Sequence, residues 1–179
     1  MTHIQGQAGE IHELDLLEAF GRAADRYLGA SPALSGLWSI RRNGARSELR
    51  IAAASTGGFE LGANCETYGL YPFAGPWQGA PWERHVSVED ICDNYFGLVR
   101  ALLSPDARLR VTYRRDQVET VTVELRSTDG WTAFEKHRDI VVPLGSKREA
   151  FLQNHLLPSR FPFEGMSRTH WGVYLWDLR

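Results

Sequence analysis

The chain has 179 residues, 43% hydrophobic, 11% aromatic and 23% charged, with a formal net charge of −2. That length and apolar content suit one folded domain over residues 1–179 and are too rich in hydrophobic side chains for disorder. The near-balanced charge argues against a dedicated nucleic-acid binder, and no run reaches the roughly 18 apolar residues of a membrane span. Residues 1–10 lack the basic-then-apolar order of a secretory leader. Two cysteines, Cys65 and Cys92, are too few for a disulfide framework or a cysteine-rich zinc site. The expectation is a cytoplasmic protein with no membrane partner and no cofactor. Of the 20 basic residues only Lys136 and Lys147 are lysine, a bias that a GC-rich genome accounts for.

Leu14, Leu17, Phe20, Ala24, Tyr27 and Leu28 recur at helical spacing, which predicts an amphipathic helix over about 10–28, stopped by Gly29 and Pro32. Asn43-Gly44 is a two-residue hairpin signal, because both central positions of such a turn need positive φ. It sets Trp38 opposite Leu49 and Ile40 opposite Ser47, so that Trp38, Ile40, Leu49, Ile51 and Ala53 share a buried face. Ser39, Arg41, Glu48 and Arg50 share the other face. A third strand after the loop Thr56-Gly57-Gly58 keeps Phe59, Leu61, Ala63 and Cys65 inward and completes a meander. Over 69–82, Gly69, Pro72, Gly75, Pro76, Gly79 and Pro81 break every periodicity, which predicts a long loop carrying Tyr71, Phe73, Trp77 and Trp82.

Ser87, with Asp90 three residues on, opens a second helix with the stripe Val88, Ile91, Cys92, Tyr95, Val99, Leu102 and Leu103. Ser104-Pro105-Asp106 ends it. Strands are predicted at 108–113 and 118–126, followed by a hairpin at Asp129-Gly130 that sets Phe134 opposite Leu125. Residues 140–143 read as a short edge strand. Ser146-Lys147-Arg148-Glu149 has the form of a capping box. It predicts a third helix that buries Phe151, Leu152 and His155 or Leu156 and stops at Pro158. Residues 171–178 read as a final strand. The sum is an α+β domain with antiparallel sheet of about six to seven strands, in two helix-plus-three-strand units with three helices covering one face.

No established chemical motif stands out. Cys65 and His85 are a candidate thiol nucleophile pair, but Cys65 lies on an inward strand face and Cys92 lies in a helix stripe, both settings for structural cysteine. The six histidines (His3, His12, His85, His137, His155, His170) include no pair at helical ligand spacing, so no metal is expected. Glu83-Arg84-His85 with Glu89, Asp90 and Asp93 is a dense titratable cluster, though the helix dipole alone accounts for acids in a first turn. Thr56-Gly57-Gly58 joins strands and is no phosphate cradle. Arg108, Arg110, Arg114 and Arg115 form a basic stripe on an outer strand face, read as a solvated surface. The aromatic loop is the feature that asks for a role, either as an interface anchor or as a lid on the core.

The run Tyr68-Gly69-Leu70-Tyr71-Pro72-Phe73 with Gly75-Pro76-Trp77, together with Gln153-Asn154-His155-Leu156-Leu157-Pro158, is similar to stretches of small bacterial proteins of no assigned activity. That likeness spans roughly a third of the chain and carries over no catalytic residue. The element order resembles that of type III secretion chaperones, acidic dimers that hold effector segments. The aromatic loop, the extra strands and the near-neutral charge depart from that pattern, so the resemblance reaches the fold order alone.

These readings point to a non-catalytic domain that binds another protein, an immunity-type inhibitor or a chaperone-like partner. Its contact surface is expected at Tyr71, Phe73, Trp77, Trp82, Glu83, Arg84 and His85. The alternative is a small-molecule or enzyme site between this loop, His85 and the second helix.

Overall fold

In a computed structural model, which describes residues 14–53, 57–83, 87–138 and 145–160 with two-residue strands at 167–168 and 174–175, the first periodic segment forms helix α1 (Leu14–Ala24). Its end loosens into a π-helical turn, Asp25–Gly29, and Pro32 opens a short 3-10 turn beyond. Leu17, Phe20, Ala24 and Leu28 are buried, as their spacing requires. Helix α2 (Val88–Leu102) starts where Ser87 caps it: the Asp90 N–H donates to the Ser87 hydroxyl at 3.1 Å. The two helices pack through aromatic rings, with Phe20 5.8 Å from Tyr95 and 5.6 Å from Phe96 between centroids. They are the only α-helices among the described residues, one fewer than the sequence predicts.

The first sheet consists of β1 (Trp38–Asn43), β2 (Arg46–Ile51), β3 (Leu61–Glu66) and β4 (Gly69–Ala74), with β5 (Trp77–Gln78) and β6 (Trp82–Glu83) both pairing β4. The predicted faces are present as far as Ile51, while Ala53, expected on the buried face, is exposed beyond the end of β2, and the first hairpin register differs by two residues. Trp38 pairs with Ile51 and Ile40 with Leu49, because Gly44 and Ala45 form the turn and Asn43 pairs with Arg46. Gly44, at φ +58°, supplies the backbone this turn needs. A shift of two leaves every side chain on its own face.

The expected loop over 69–82 is corrected: most of it is strand. Pro72 faces Ala63 of β3 and lies on β4 between the stretch that pairs β6 (Gly69, Leu70) and the stretch that pairs β5 (Phe73, Ala74). A missing N–H costs no ladder bond in such a gap, and the Pro72 carbonyl accepts from the Gly79 N–H at 3.0 Å.

The second sheet has the order β10-β7-β8-β9, from β7 (Ala107–Arg114), β8 (Gln117–Ser127), β9 (Gly130–Arg138) and β10 (Lys147–Leu152). The predicted third helix is therefore corrected to β10, which pairs antiparallel with β7 from Lys147↔Arg114 to Leu152↔Leu109. The free edge of β7 offers a full row of backbone partners, and that long-range pairing overrides the local capping signal. Leu125 pairs with Thr132, not Phe134, owing to the turn position and a bulge between Val123 and Glu124. The tail contributes the pair β11 (Ser167–Arg168) and β12 (Tyr174–Leu175). The expected edge strand at 140–143 and most of the expected strand at 171–178 lie outside the described residues.

One hydrophobic cluster draws on both helices and on the inner faces of both sheets. Contacts between the sheets include the packing of β5 against β8. Trp77 of β5 is fully buried. The Glu135 carboxylate of β9 accepts from the Ala80 N–H at 2.8 Å. Asn154, 1% exposed, accepts from the Phe59 N–H at 3.1 Å and donates to the carbonyls of Phe59 and Leu102 at 3.2 and 3.1 Å.

Candidate functional site

Strand alternation sends Leu70, Pro72 and Ala74 of β4 into the interior and Tyr71 and Phe73 outward. On the neighbouring strands the outward residues are Asn64 and Gly62 of β3, then Glu48 and Arg50 of β2, so two rows cross the sheet: Arg50, Gly62, Phe73 and Glu48, Asn64, Tyr71. Gly62 makes the shape possible, since a Cβ there would lie 2.8 Å from the Phe73 ring and against the Leu49 carbonyl. The result is an open groove of about 520 Å³, lined by Glu48, Arg50, Glu60, Asn64, Tyr71, Phe73 and Gln78 among others.

Arg50 organises its electrostatics. Its guanidinium binds Glu48 at 2.7 Å and Glu60 at 2.6 Å and lies 5.8 Å from the centre of the Phe73 ring. The Glu48 hydrogen bond, then the charges of both carboxylates, hold the arginine proton more firmly than usual. All three side chains are solvent-accessible, so this triad adds little to stability. It does fix orientation, and two carboxylates around one arginine leave the groove with one negative charge in excess. At the floor the Asn64 Oδ1 has no hydrogen-bond partner. Tyr71 is 38% exposed.

The expected contact residues are divided by the structure. Tyr71 and Phe73 line the groove. Trp77 is sealed in the core, its ring covered in part by Gly79, where any side chain would collide with it at 2.6 Å. Trp82 is half-buried and meets Tyr95 edge-on at 6.1 Å. Glu83 belongs to β6 and pairs with Gly69, whereas Arg84 and His85 lie outside the described residues. Sequence reasoning named Glu48 and Arg50 only as an outward strand face, and it missed Glu60, Asn64 and Gln78. The alternation of β2 was the available signal for this surface. Nothing local announced that β4 continues it.

Both cysteines are absorbed by packing. Cys65 is fully buried. Cys92 is 2% exposed, and burial, helped by Asp93 and Glu89, pushes its thiol up to about 12, which leaves no thiolate at neutral pH. Asp93 accepts from the Tyr27 hydroxyl at 3.1 Å and lies 3.7 Å from Arg26. Among the described residues no three His, Cys, Asp or Glu side chains gather to hold a metal ion, and no helix is long and apolar enough to cross a membrane. No family model matches the chain, and no curated protein or solved structure does so either.

Proposed function

We propose that this chain is a non-catalytic protein-binding domain, of the immunity-inhibitor or chaperone-partner kind, that grips its partner with the outer face of the first sheet. The groove at Tyr71 and Phe73 carries this reading: it presents aromatic surface beside a pre-oriented charge triad. Aromatic area in a concave site supplies contact energy at low entropic cost, and oriented charges supply register. The excess carboxylate favours a partner segment that brings an apolar side chain together with a basic or hydrogen-bond-donating one.

The contact surface is thus narrower than the sequence expects. Tyr71 and Phe73 stay in it, Glu48, Arg50 and Glu60 join it, and Trp77 supports it from behind. The alternative site between this segment, His85 and α2 gains no support from the groove, which α2 does not line.

The test is capture of a stoichiometric partner by the tagged wild-type chain, repeated with Tyr71→Ala and Arg50→Ala. We expect both variants to keep the fold by circular dichroism and to weaken binding by at least about tenfold. Unchanged capture by both folded variants rejects the groove as the contact surface.

A further inference from the structure

The outer face of the second sheet holds a different concavity. β7 turns Arg110, Thr112 and Arg114 outward, and the strand registers set beside them Thr120 and Thr122 of β8, Lys136 and Arg138 of β9, and Lys147 and Glu149 of β10. With Glu119 these residues line a cavity of about 270 Å³. Its floor is the three threonines, whose short side chains leave a depression with hydroxyl groups in it. Its rim carries five cationic side chains against two carboxylates, although the whole chain is net negative at −2.

The cations are not equally engaged. Arg114 is tied to Glu119 at 2.9 Å, and Lys147 lies 3.7 Å from Glu149. Arg110 has its Nε 2.9 Å from Glu124. Among the described residues Lys136 and Arg138 form no ion pair. The charge is also bounded along the strands. Glu124, which binds Arg108 at 2.8 Å, stands beyond Thr122, and Glu119 stands beyond Thr120. A long polyanion following β8 meets Glu124 at one end and Glu119 at the other, whereas a compact anion over the threonines faces five cations and two carboxylates, Glu119 and Glu149, that Arg114 and Lys147 already engage.

We propose that this cavity is a binding site for a small phosphate-bearing molecule, with Lys136 and Arg138 as the principal charge partners and the threonine hydroxyls as hydrogen-bonding floor. The site lies on the opposite sheet from the protein-binding groove and stands or falls independently of it.

The test is calorimetric titration of the full chain with inorganic pyrophosphate at low salt, with sulfate, a single-stranded oligonucleotide and polyglutamate as comparisons. Saturable one-to-one binding of pyrophosphate is expected. It should weaken at least about tenfold in Lys136→Ala/Arg138→Ala and several-fold in Thr120→Val, and be unaffected by Tyr71→Ala. Lys136 and Arg138 are exposed, so the double variant keeps its fold. Four results overturn the proposal: no saturable binding, equal binding by the folded double variant, sulfate matching pyrophosphate, or affinity that rises with the length of either polymer beyond that for pyrophosphate.

Discussion

The outer faces of the two sheets are built by the same alternation and carry opposite surfaces. In the groove of the first sheet Arg50 is held between Glu48 and Glu60 and lies beside the Phe73 ring, with Tyr71 open to solvent. On the second, Arg110, Arg114, Lys136, Arg138 and Lys147 outnumber the carboxylates that share their cavity. Aromatic rings are used differently as well. Arg108 is sandwiched between Trp131 and Phe151, with its guanidinium 4.2 and 4.3 Å from the ring centres. A net charge of −2 averages these two faces. It therefore describes the far field of the molecule and not the local field at either surface.

The largest effect should come from the point where the faces share one support. Trp77→Ala removes a fully buried indole at the joint of the sheets and is expected to cost about 4 kcal/mol in chemical denaturation. Both proposed binding activities should disappear together; survival of either one in that variant would show that the sheets are stable separately. Next is Asn154→Ala, which leaves the Phe59 N–H and the carbonyls of Phe59 and Leu102 without their partner. A loss of about 2–3 kcal/mol is expected, and a melting temperature equal to wild type would mean that water replaces the amide.

Tyr71→Ala should do the reverse, sparing the fold and removing one contact ring. Stability should change by no more than about 0.5 kcal/mol while partner capture fails, so that denaturation and binding measurements separate.

The smallest effects concern pH, where two carboxylates should act with opposite sign. Burial raises the pKa of Glu135, against the Ala80 N–H that lowers it. Its contribution favours folding below the ordinary carboxylate range and is lost as pH rises through the raised value. The Arg114 hydrogen bond leads the causes that lower the pKa of Glu119. Its contribution is present above the ordinary value and is lost as pH falls through the lowered one. Stability profiles of Glu135→Gln and Glu119→Gln against pH check both, and they should bend away from wild type in opposite directions.

Much of the architecture was legible because it rests on short-range regularities. Trp38, Ile40, Leu49 and Ile51 alternate, so their face was readable even though the turn moved to Gly44-Ala45 and the register with it. Ser87 caps α2 because its hydroxyl needs only a backbone N–H three residues away. The strand over Gly69–Ala74 was hidden by Pro72, which signals a break unless one knows that β5 and β6 require no N–H at that position. Lys147–Leu152 looked helical because Ser146 and Glu149 satisfy a local rule, while the competing edge of β7 lies more than thirty residues away in sequence. The site residues follow the same division. Tyr71 and Phe73 were named from composition, but the same reasoning placed Trp77 with them, since a buried and an exposed tryptophan read alike in a string of letters.

Two amphipathic helices, the capping of the second, the inward and outward sets of most strands and the concentration of aromatic residues at 69–82 follow from the order of residues alone. Those features depend on periods of two and 3.6 residues, which are local properties of the chain. That β10 completes the second sheet, that Trp77 is sealed, and that Lys136, Arg138 and Lys147 gather around Arg110 and Arg114 emerges only in the folded chain. Which edge a strand finds, and what then covers a ring or faces a charge, depends on every other segment competing for the same hydrogen bonds and the same buried surface.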